Sequence, residues 1–119
     1  MDREKLLQLT DRLIDAFNRM DLDDVVSMFS ETGTFDDSDG ISYTGHREIR
    51  TAFEPLFSGA RGKIHFEGED LFAEVETGKV MTSWMLTLTK DGVKSNVRGM
   101  DVLEFSEDKL IRKSAYLKK

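Results

Sequence analysis

Two aspartates occupy positions where a carboxylate could carry out acid–base chemistry. Asp101, in GMDVLEF, alternates with Leu103 and Phe105 and therefore falls on the inward, apolar face of the strand that this segment predicts. Asp37, in TFDDSDG, lies in an acidic turn nearer to solvent. Two identical side chains in such different surroundings can differ in protonation state, as a general acid and a general base require. If Asp37 and Asp101 line one pocket, they have the residue types that proton transfer to and from a bound compound requires.

Each aspartate also has a purely structural interpretation. Asp101 can be a buried acid hydrogen-bonded to a polar neighbour, because burial without a partner is costly. Asp37 can simply shape its turn, since Asp and Gly are common turn residues. Lys113 shares a strand face with Ala115 and Leu117, and if it pairs with Asp101 it keeps that carboxylate ionised. The sequence leaves these alternatives open.

Three amphipathic helices are predicted to cover the site. Residues 1–20 form the first, with five apolar side chains at helical spacing: Leu6, Leu9, Leu13, Phe17 and Met20. DLDDVVSMFS predicts a second, shorter helix with an acidic first turn. HREIRTAFEPLF predicts a third, which we expect Pro55 to kink or end early.

From Gly62 onward the hydrophobic period changes to two, which is typical of strands. Five segments have this character: KIHFE, LFAEV, KVMTSWMLTLT, VKSNVRGMDVLEF and LIRKSAYL. Turn residues separate several of them, with Asp91-Gly92 the strongest hairpin signal. Helices followed by strands joined through short turns predict an α+β fold, with the helices on one face of an antiparallel sheet of four to six strands. We expect residues 1–119 to form one domain.

Composition excludes several kinds of function. The net charge is -6 and no cationic stripe is present, so neither nucleic acid nor an anionic membrane is an expected partner. The chain has no cysteine, its two histidines lack zinc-ligand spacing, and no nucleotide-binding motif occurs. We therefore expect neither a metal site nor a cofactor. The charged start MDREKLLQL does not fit a signal peptide, which favours a cytoplasmic protein.

The order of these segments resembles that of a known superfamily. A long helix, then DLDDVVSMFSETGTFDDSDG, GHREIRTAF, GMDVLEF and AYL, is similar to the nuclear transport factor two-like superfamily. Within it, the SnoaL-like polyketide cyclases and ketosteroid isomerase look most similar. The resemblance implies a cone-shaped (cystatin-like) fold, in which three N-terminal helices pack on a strongly curved antiparallel sheet.

The resemblance also implies roles for the two aspartates. Asp37 falls where ketosteroid isomerase carries its general base, and Asp101 falls where it carries a neutral, hydrogen-bond-donating acid of the oxyanion hole. This chain departs from that pattern at Leu13, where the family's oxyanion-hole tyrosine would be. Trp84 is the best-placed candidate for a replacement donor, although a tryptophan there also fits the core.

Together these features predict a small apolar ligand bound between helices and sheet. Beside Asp37 and Asp101 we expect nine lining residues: Leu13, Phe17, Phe29, Phe53, Trp84, Leu86, Val97, Leu103 and Leu117. The expected function is cofactor-independent acid–base chemistry on an apolar carbonyl compound, of isomerase, cyclase or dehydratase type. The alternative is a dimeric ligand-binding or scaffold domain without catalysis. In both cases the half-apolar outer face of the sheet predicts a homodimer.

Overall fold

The chain forms three helices and six strands, and two of the strands lie between the second and third helices, where the predicted order had all helices before the strands. The computed structural model describes all 119 residues. The helices are α1 (Arg3–Asn18), α2 (Leu22–Met28) and α3 (His46–Phe57). The strands are β1 (Phe29–Asp36), β2 (Ser42–Thr44), β3 (Lys63–Glu74), β4 (Lys79–Lys90), β5 (Val93–Ser106) and β6 (Lys109–Leu117). None of the helices is long and apolar enough to cross a bilayer.

All six strands belong to one sheet, in the order β2-β1-β6-β5-β4-β3. The expected α+β class and the helix-on-sheet arrangement are confirmed. The sheet is not wholly antiparallel, however, because β1 and β6 run parallel. Strands β1 and β2 were not predicted, since Ser, Thr, Glu and Asp interrupt any apolar alternation there. KIHFE and LFAEV form the single strand β3, whose register shifts between Gly68 and Asp70; such a bulge bends a sheet.

The inward face of β5 has the predicted phase. Gly99, Asp101, Leu103 and Phe105 are all buried, whereas Val93, which has the same alternation at the start of the strand, is 70% exposed. A second bulge lies between Glu104 and Phe105, where β5 pairs with β6. It shifts the phase of β6, so that Leu110 rather than Ile111 lies on the inward side with Lys113.

The helices cover that face with the apolar residues that their spacing predicts. Leu6, Leu9, Leu13 and Phe17 of α1 are buried. The helix ends at Asn18 rather than at Met20, whose positive φ of 54° is incompatible with a continuing helix. Pro55 does not end α3, which continues to Phe57.

Asn18 fastens the end of α1 to the edge strand β3. Its side-chain amide donates to the Phe66 carbonyl at 3.1 Å, and its Oδ1 accepts from the Phe66 N–H at 2.7 Å. The edge of a sheet leaves such backbone groups unpaired. The side chain of Asn18 therefore takes the place of a neighbouring strand at this one residue.

Asp36 joins three strands at the start of the acidic loop. Its Oδ2 accepts from Arg112 at 2.8 Å and from Ser114 at 3.1 Å on β6, and its Oδ1 accepts from Ser42 on β2. Burial raises the pKa of Asp36, but the hydrogen bonds from Ser42, Arg112 and Ser114 together outweigh it and leave the pKa below its ordinary value of 3.8. The first aspartate of the acidic loop is therefore structural.

Replacing Asp36 with Asn is expected to destabilise the fold in a pH-dependent way. The lowered pKa in the folded chain contributes stability above the unfolded pKa, and that contribution is lost as the pH falls through the folded pKa. We expect Asp36→Asn to lower the free energy of unfolding by about 1–2 kcal/mol near pH 7 and by much less near about pH 2–3. Urea unfolding at both pH values measures the difference. Asp39→Asn, on the exposed part of the same loop, is the control, and an equal loss for both variants would contradict the role of Asp36.

Candidate active site

A small cavity lies between α1 and the inner face of the sheet. Its volume is about 30 Å³, enough for about one water molecule. Its ten lining residues come from five elements: Leu13, Ile14 and Phe17 of α1, Phe66 and Gly68 of β3, Thr82 and Trp84 of β4, Asp101 and Leu103 of β5, and Lys113 of β6.

Asp101 and Lys113 form a buried ion pair in this cavity. The Lys113 Nζ lies 3.0 Å from Asp101 Oδ1, and the two residues are only 6% and 8% exposed respectively. The neighbouring strands bring them together, because Leu103 is directly opposite Lys113 and Asp101 is two residues before Leu103. The contact places a cation beside Asp101, which is the alternative that the sequence left open. The catalytic role of Asp101 and its role as a neutral donor stay predictions.

Two aromatic rings complete the surroundings of the ammonium. Lys113 Nζ lies 5.5 Å from the ring centre of Phe17 on α1 and 5.3 Å from that of Phe35 on β1. Cations within about 6 Å of an aromatic ring centre are attracted to the face of the ring. Since water is largely excluded here, these rings and the Asp101 carboxylate provide most of the stabilisation of the charge.

Trp84 lies beside the ion pair and is held by close packing. Its indole extends across Gly99, where an added Cβ would be only 2.5 Å from the indole Cη2. Phe66 packs edge-to-face against the indole at a centroid distance of 5.0 Å. The indole position therefore depends on the absence of a side chain at Gly99.

Two buried polar atoms at this cavity have no hydrogen-bond partner in the protein. They are Trp84 Nε1, a donor, and Asp101 Oδ1, an acceptor. Lys113 is close to Asp101 Oδ1, but its approach is too bent to count as a hydrogen bond. Buried polar groups are nearly always hydrogen-bonded, and one left unsatisfied costs about 1–3 kcal/mol. An unmatched donor and acceptor at a cavity of this size can be satisfied by a bound water molecule or by the polar groups of a ligand.

Asp37 does not line this cavity. Its Oδ1 accepts from the backbone N–H groups of Asp39 and Ile41, each at 2.9 Å, and thereby shapes the loop. Its Oδ2 lies 3.5 Å from the Tyr43 hydroxyl, and the Tyr43 ring stacks on Phe35, one of the two rings beside Lys113. Asp37 is therefore connected to the site through aromatic side chains, and its role as the general base stays a prediction.

Four of the nine predicted lining residues surround the cavity: Leu13, Phe17, Trp84 and Leu103. The other five do not line it. Phe29 and Leu86 are buried in the core, and Phe53 packs against Phe17 and Phe35. Val97 is half-buried, and Leu117 is 46% exposed at the end of β6. Alternation gave the correct face for most of these positions, but not how far along each strand the cavity extends.

Thr82 and Phe66 line the site and were not predicted to do so. Thr82 is 3% exposed and pairs directly with Asp101 across β4 and β5. Its even spacing from Trp84 was the available signal, because both belong to the inward series of one strand. No group of three or more histidine, aspartate or glutamate side chains is arranged to hold a metal ion.

The sequence matches a known protein family over most of its length. Residues 10–113 match the family model of the SnoaL-like domain. The chain belongs to the SnoaL-like family. The predicted superfamily and its cone-shaped fold are thereby confirmed.

Solved structures agree on the fold. AusH from Aspergillus nidulans aligns with a TM-score of 0.86 at 15% identity, over 99% of this chain and 86% of AusH. SalBIII, an epoxide hydrolase/cyclase-like enzyme in pyran ring formation in the polyether salinomycin, gives a TM-score of 0.85 at 19% identity, over 98% and 93% of the two chains. TerC, co-crystallised with polyporic acid, gives 0.79 at 11% identity, over 96% and 92%. At these identities the likeness establishes the fold alone. No curated protein matches the sequence.

The free energy of unfolding of variants at the ion pair shows whether the pair stabilises the fold. Lys113→Met leaves the Asp101 carboxylate buried without its counter-ion, so we expect a loss of about 3–5 kcal/mol in the free energy of unfolding. The double variant Asp101→Leu/Lys113→Met removes both charges and is expected to return to within about 1 kcal/mol of the parent or to exceed it. Urea unfolding of the parent and the variants measures both effects.

Lys109→Met is the matched control, because Lys109 is an exposed lysine on the same strand. We expect it to change stability by less than about 1 kcal/mol. A double variant as unstable as Lys113→Met would show that the pair itself supports the fold.

Proposed function

We propose that this protein binds a small, largely apolar carbonyl compound between α1 and the sheet and carries out cofactor-independent acid–base chemistry on it. The reaction type is that of an isomerase, cyclase or dehydratase. One observation supports this most directly: a buried ion pair lies beside an unpartnered indole N–H, and its carboxylate has an unpartnered oxygen. Such a group of side chains costs stability, and groups of this kind concentrate at functional sites.

The chemistry follows from the two charges. Asp101, as a carboxylate, removes a proton from the carbon next to the carbonyl, and the electrons of the broken C–H bond move to the carbonyl oxygen. The Lys113 ammonium, 3.0 Å from Asp101 Oδ1, stabilises the negative charge that develops there. Return of the proton to another carbon completes an isomerisation. In an aldol-type ring closure, the enolate carbon instead attacks a second carbonyl group, and the resulting alkoxide takes up the proton from Asp101.

This assignment differs from the one that the family resemblance implies. There, Asp37 is the base and Asp101 is a neutral donor. Here Lys113 supplies the positive charge at the oxygen, and Asp101 becomes the base. The change fits Leu13, which lines the cavity in place of the family's tyrosine and has no hydroxyl group. The cyclase-type names among the structural neighbours support the reaction class.

A non-catalytic ligand-binding domain is the second candidate, and two observations favour it. The cavity volume of about 30 Å³ is too small for a ligand much larger than water unless side chains move. The Lys113 ammonium, 3.0 Å from Asp101 Oδ1, also occupies one side of the oxygen that a substrate C–H would have to approach.

Exchange of α-protons tests the catalytic proposal without knowledge of the substrate. Small apolar ketones such as cyclohexanone and acetophenone are incubated with the protein in D₂O, and loss of the α-proton signals is followed by NMR. We expect protein-dependent exchange that falls by about 10²–10⁴-fold in Asp101→Asn, because the base is removed. Asp37→Asn is expected to retain most of the rate, and Asp39→Asn serves as the control.

Two results would contradict this assignment. Loss of exchange in Asp37→Asn but not in Asp101→Asn would make Asp37 the base. Binding of the ketones without any exchange by the parent protein would favour the non-catalytic domain.

We also propose that two copies associate through the outer face of the sheet. Phe72, Met81 and Val102 are cross-strand neighbours there on β3, β4 and β5, and Phe72 is 65% exposed. A row of apolar side chains across three strands is typical of an interface. The ion pair between Arg98 and Glu69, at 3.1 Å, lies on the same strands and provides a polar border.

Sedimentation equilibrium at micromolar concentrations measures this association. The parent is expected to be dimeric and Phe72→Glu monomeric, because the new charge would be buried against an apolar surface. Val93→Glu is the matched control, since Val93 is equally exposed but lies at the β4–β5 turn. A monomeric parent would contradict the proposed dimer.

A further inference from the structure

We propose that the cavity recognises a hydroxyketone, a compound whose hydroxyl group and carbonyl oxygen are only a few bonds apart, in preference to a simple ketone or a simple alcohol. This inference concerns the same site as the proposed function and names its substrate class. It follows from the donors and acceptors that the protein leaves unmatched.

The acceptor at the site is the carboxylate of Asp101. Its Oδ1 is buried and receives no hydrogen bond from the protein. Lys113 neutralises the charge at 3.0 Å without an aligned hydrogen bond. A simple ketone has no O–H or N–H group and would leave this oxygen unpaired on binding. The carboxylate therefore requires a ligand hydroxyl group as its donor.

The donors at the site require an acceptor as well. The indole N–H of Trp84 can only donate, and it has no partner. The ammonium of Lys113 has three N–H groups and is flanked by the Phe17 and Phe35 rings, neither of which offers an oxygen. A carbonyl oxygen can accept from Trp84 and Lys113. The hydroxyl oxygen of a simple alcohol also has two lone pairs, but it would have to lie within hydrogen-bond distance of Asp101 and of both donors at once, whereas a hydroxyketone brings a separate oxygen to each side.

One short molecule can contact both sides of the site. Thr82 lies opposite Asp101 and Trp84 lies opposite Gly99, so Trp84 and Asp101 are diagonal neighbours on the inward face of β4 and β5. Such neighbours are about 7 Å apart at the backbone. The Thr82 hydroxyl also lines the cavity, and most of the remaining lining is apolar, with Leu13, Phe17 and Leu103 among its members. The site thus combines an acceptor and donors with an apolar lining, and a small hydroxyketone spans them once side chains around the cavity of about 30 Å³ move.

The experiment compares three probes that differ by one group each. 4-Hydroxy-2-butanone carries both functions, 2-pentanone replaces its hydroxyl with a methyl group, and 1-butanol replaces its carbonyl with a methylene. Trp84 is the only tryptophan in the chain, so a ¹⁵N-labelled sample shows one indole N–H resonance that reports directly on the site. Titration of each probe against this resonance gives its dissociation constant.

We expect 4-hydroxy-2-butanone to bind at least about tenfold more tightly than either of the other probes, because each of them leaves a buried polar group unpaired. The double variant Asp101→Leu/Lys113→Met should bind the three probes with similar affinity. Thr89→Val, a change on the outward side of β4, should keep the full preference. Equal affinities in the parent, or no saturable shift with 4-hydroxy-2-butanone, would overturn the proposal.

Failure of this inference is distinguishable from failure of the proposed catalysis. A tenfold preference without α-proton exchange supports hydroxyketone recognition and removes only the catalytic role. Exchange of simple ketones without any preference for 4-hydroxy-2-butanone overturns the recognition proposal while the acid–base chemistry stands. The preference in the parent protein decides the question even if the double variant does not fold.

Discussion

The structure depends on the placement of one buried ammonium group. Lys113 on β6 is almost fully removed from solvent, and an unpaired charge in such a place costs several kcal/mol. Its charge is balanced by Asp101 on β5 and flanked by Phe17 on α1 and Phe35 on β1. Four elements must therefore take fixed positions around one atom. Two of these are the parallel neighbours β1 and β6, which the hydrophobic pattern alone gave no reason to place side by side.

Aromatic side chains connect this charge to the rest of the interior. Phe17 packs edge-to-face with Phe53 and Phe66, at centroid distances of 5.3 and 5.5 Å, and Phe66 contacts Trp84 in the same way. These rings fill most of the cone and explain why so little free volume remains beside Asp101. A ligand larger than water can enter only when some of them rotate. Ile14, Phe66 and Gly68 at the cavity wall are less buried than its other members, so the side between α1 and β3 is the shortest route.

Sequence patterns predicted what depends on local periodicity. The burial of Asp101 followed from its alternation with Leu103 and Phe105, and the class of fold followed from three amphipathic helices placed before a run of strands. The pairing of Lys113 with Asp101 followed from the sequence only as one of several alternatives. Alternation predicts which face of a strand a side chain lies on, but not which residue it contacts. Positions such as Val97 and Leu117 show the same limit. The bulge near Glu104 changed the phase of β6, and no sequence signal marked it.

The hydrogen bonds between Asn18 and Phe66 affect whether a strand of another chain can add to the edge of the sheet. A sheet extends most easily by adding a strand to an open edge. One edge here, β2, is only three residues long. The other, β3, is interrupted by its bulge and has the backbone groups of Phe66 occupied by a side-chain amide. Neither edge offers a long, regular template, so fibre-like addition of further chains is discouraged. The face of the sheet is therefore the surface that remains for the proposed pairing of two copies.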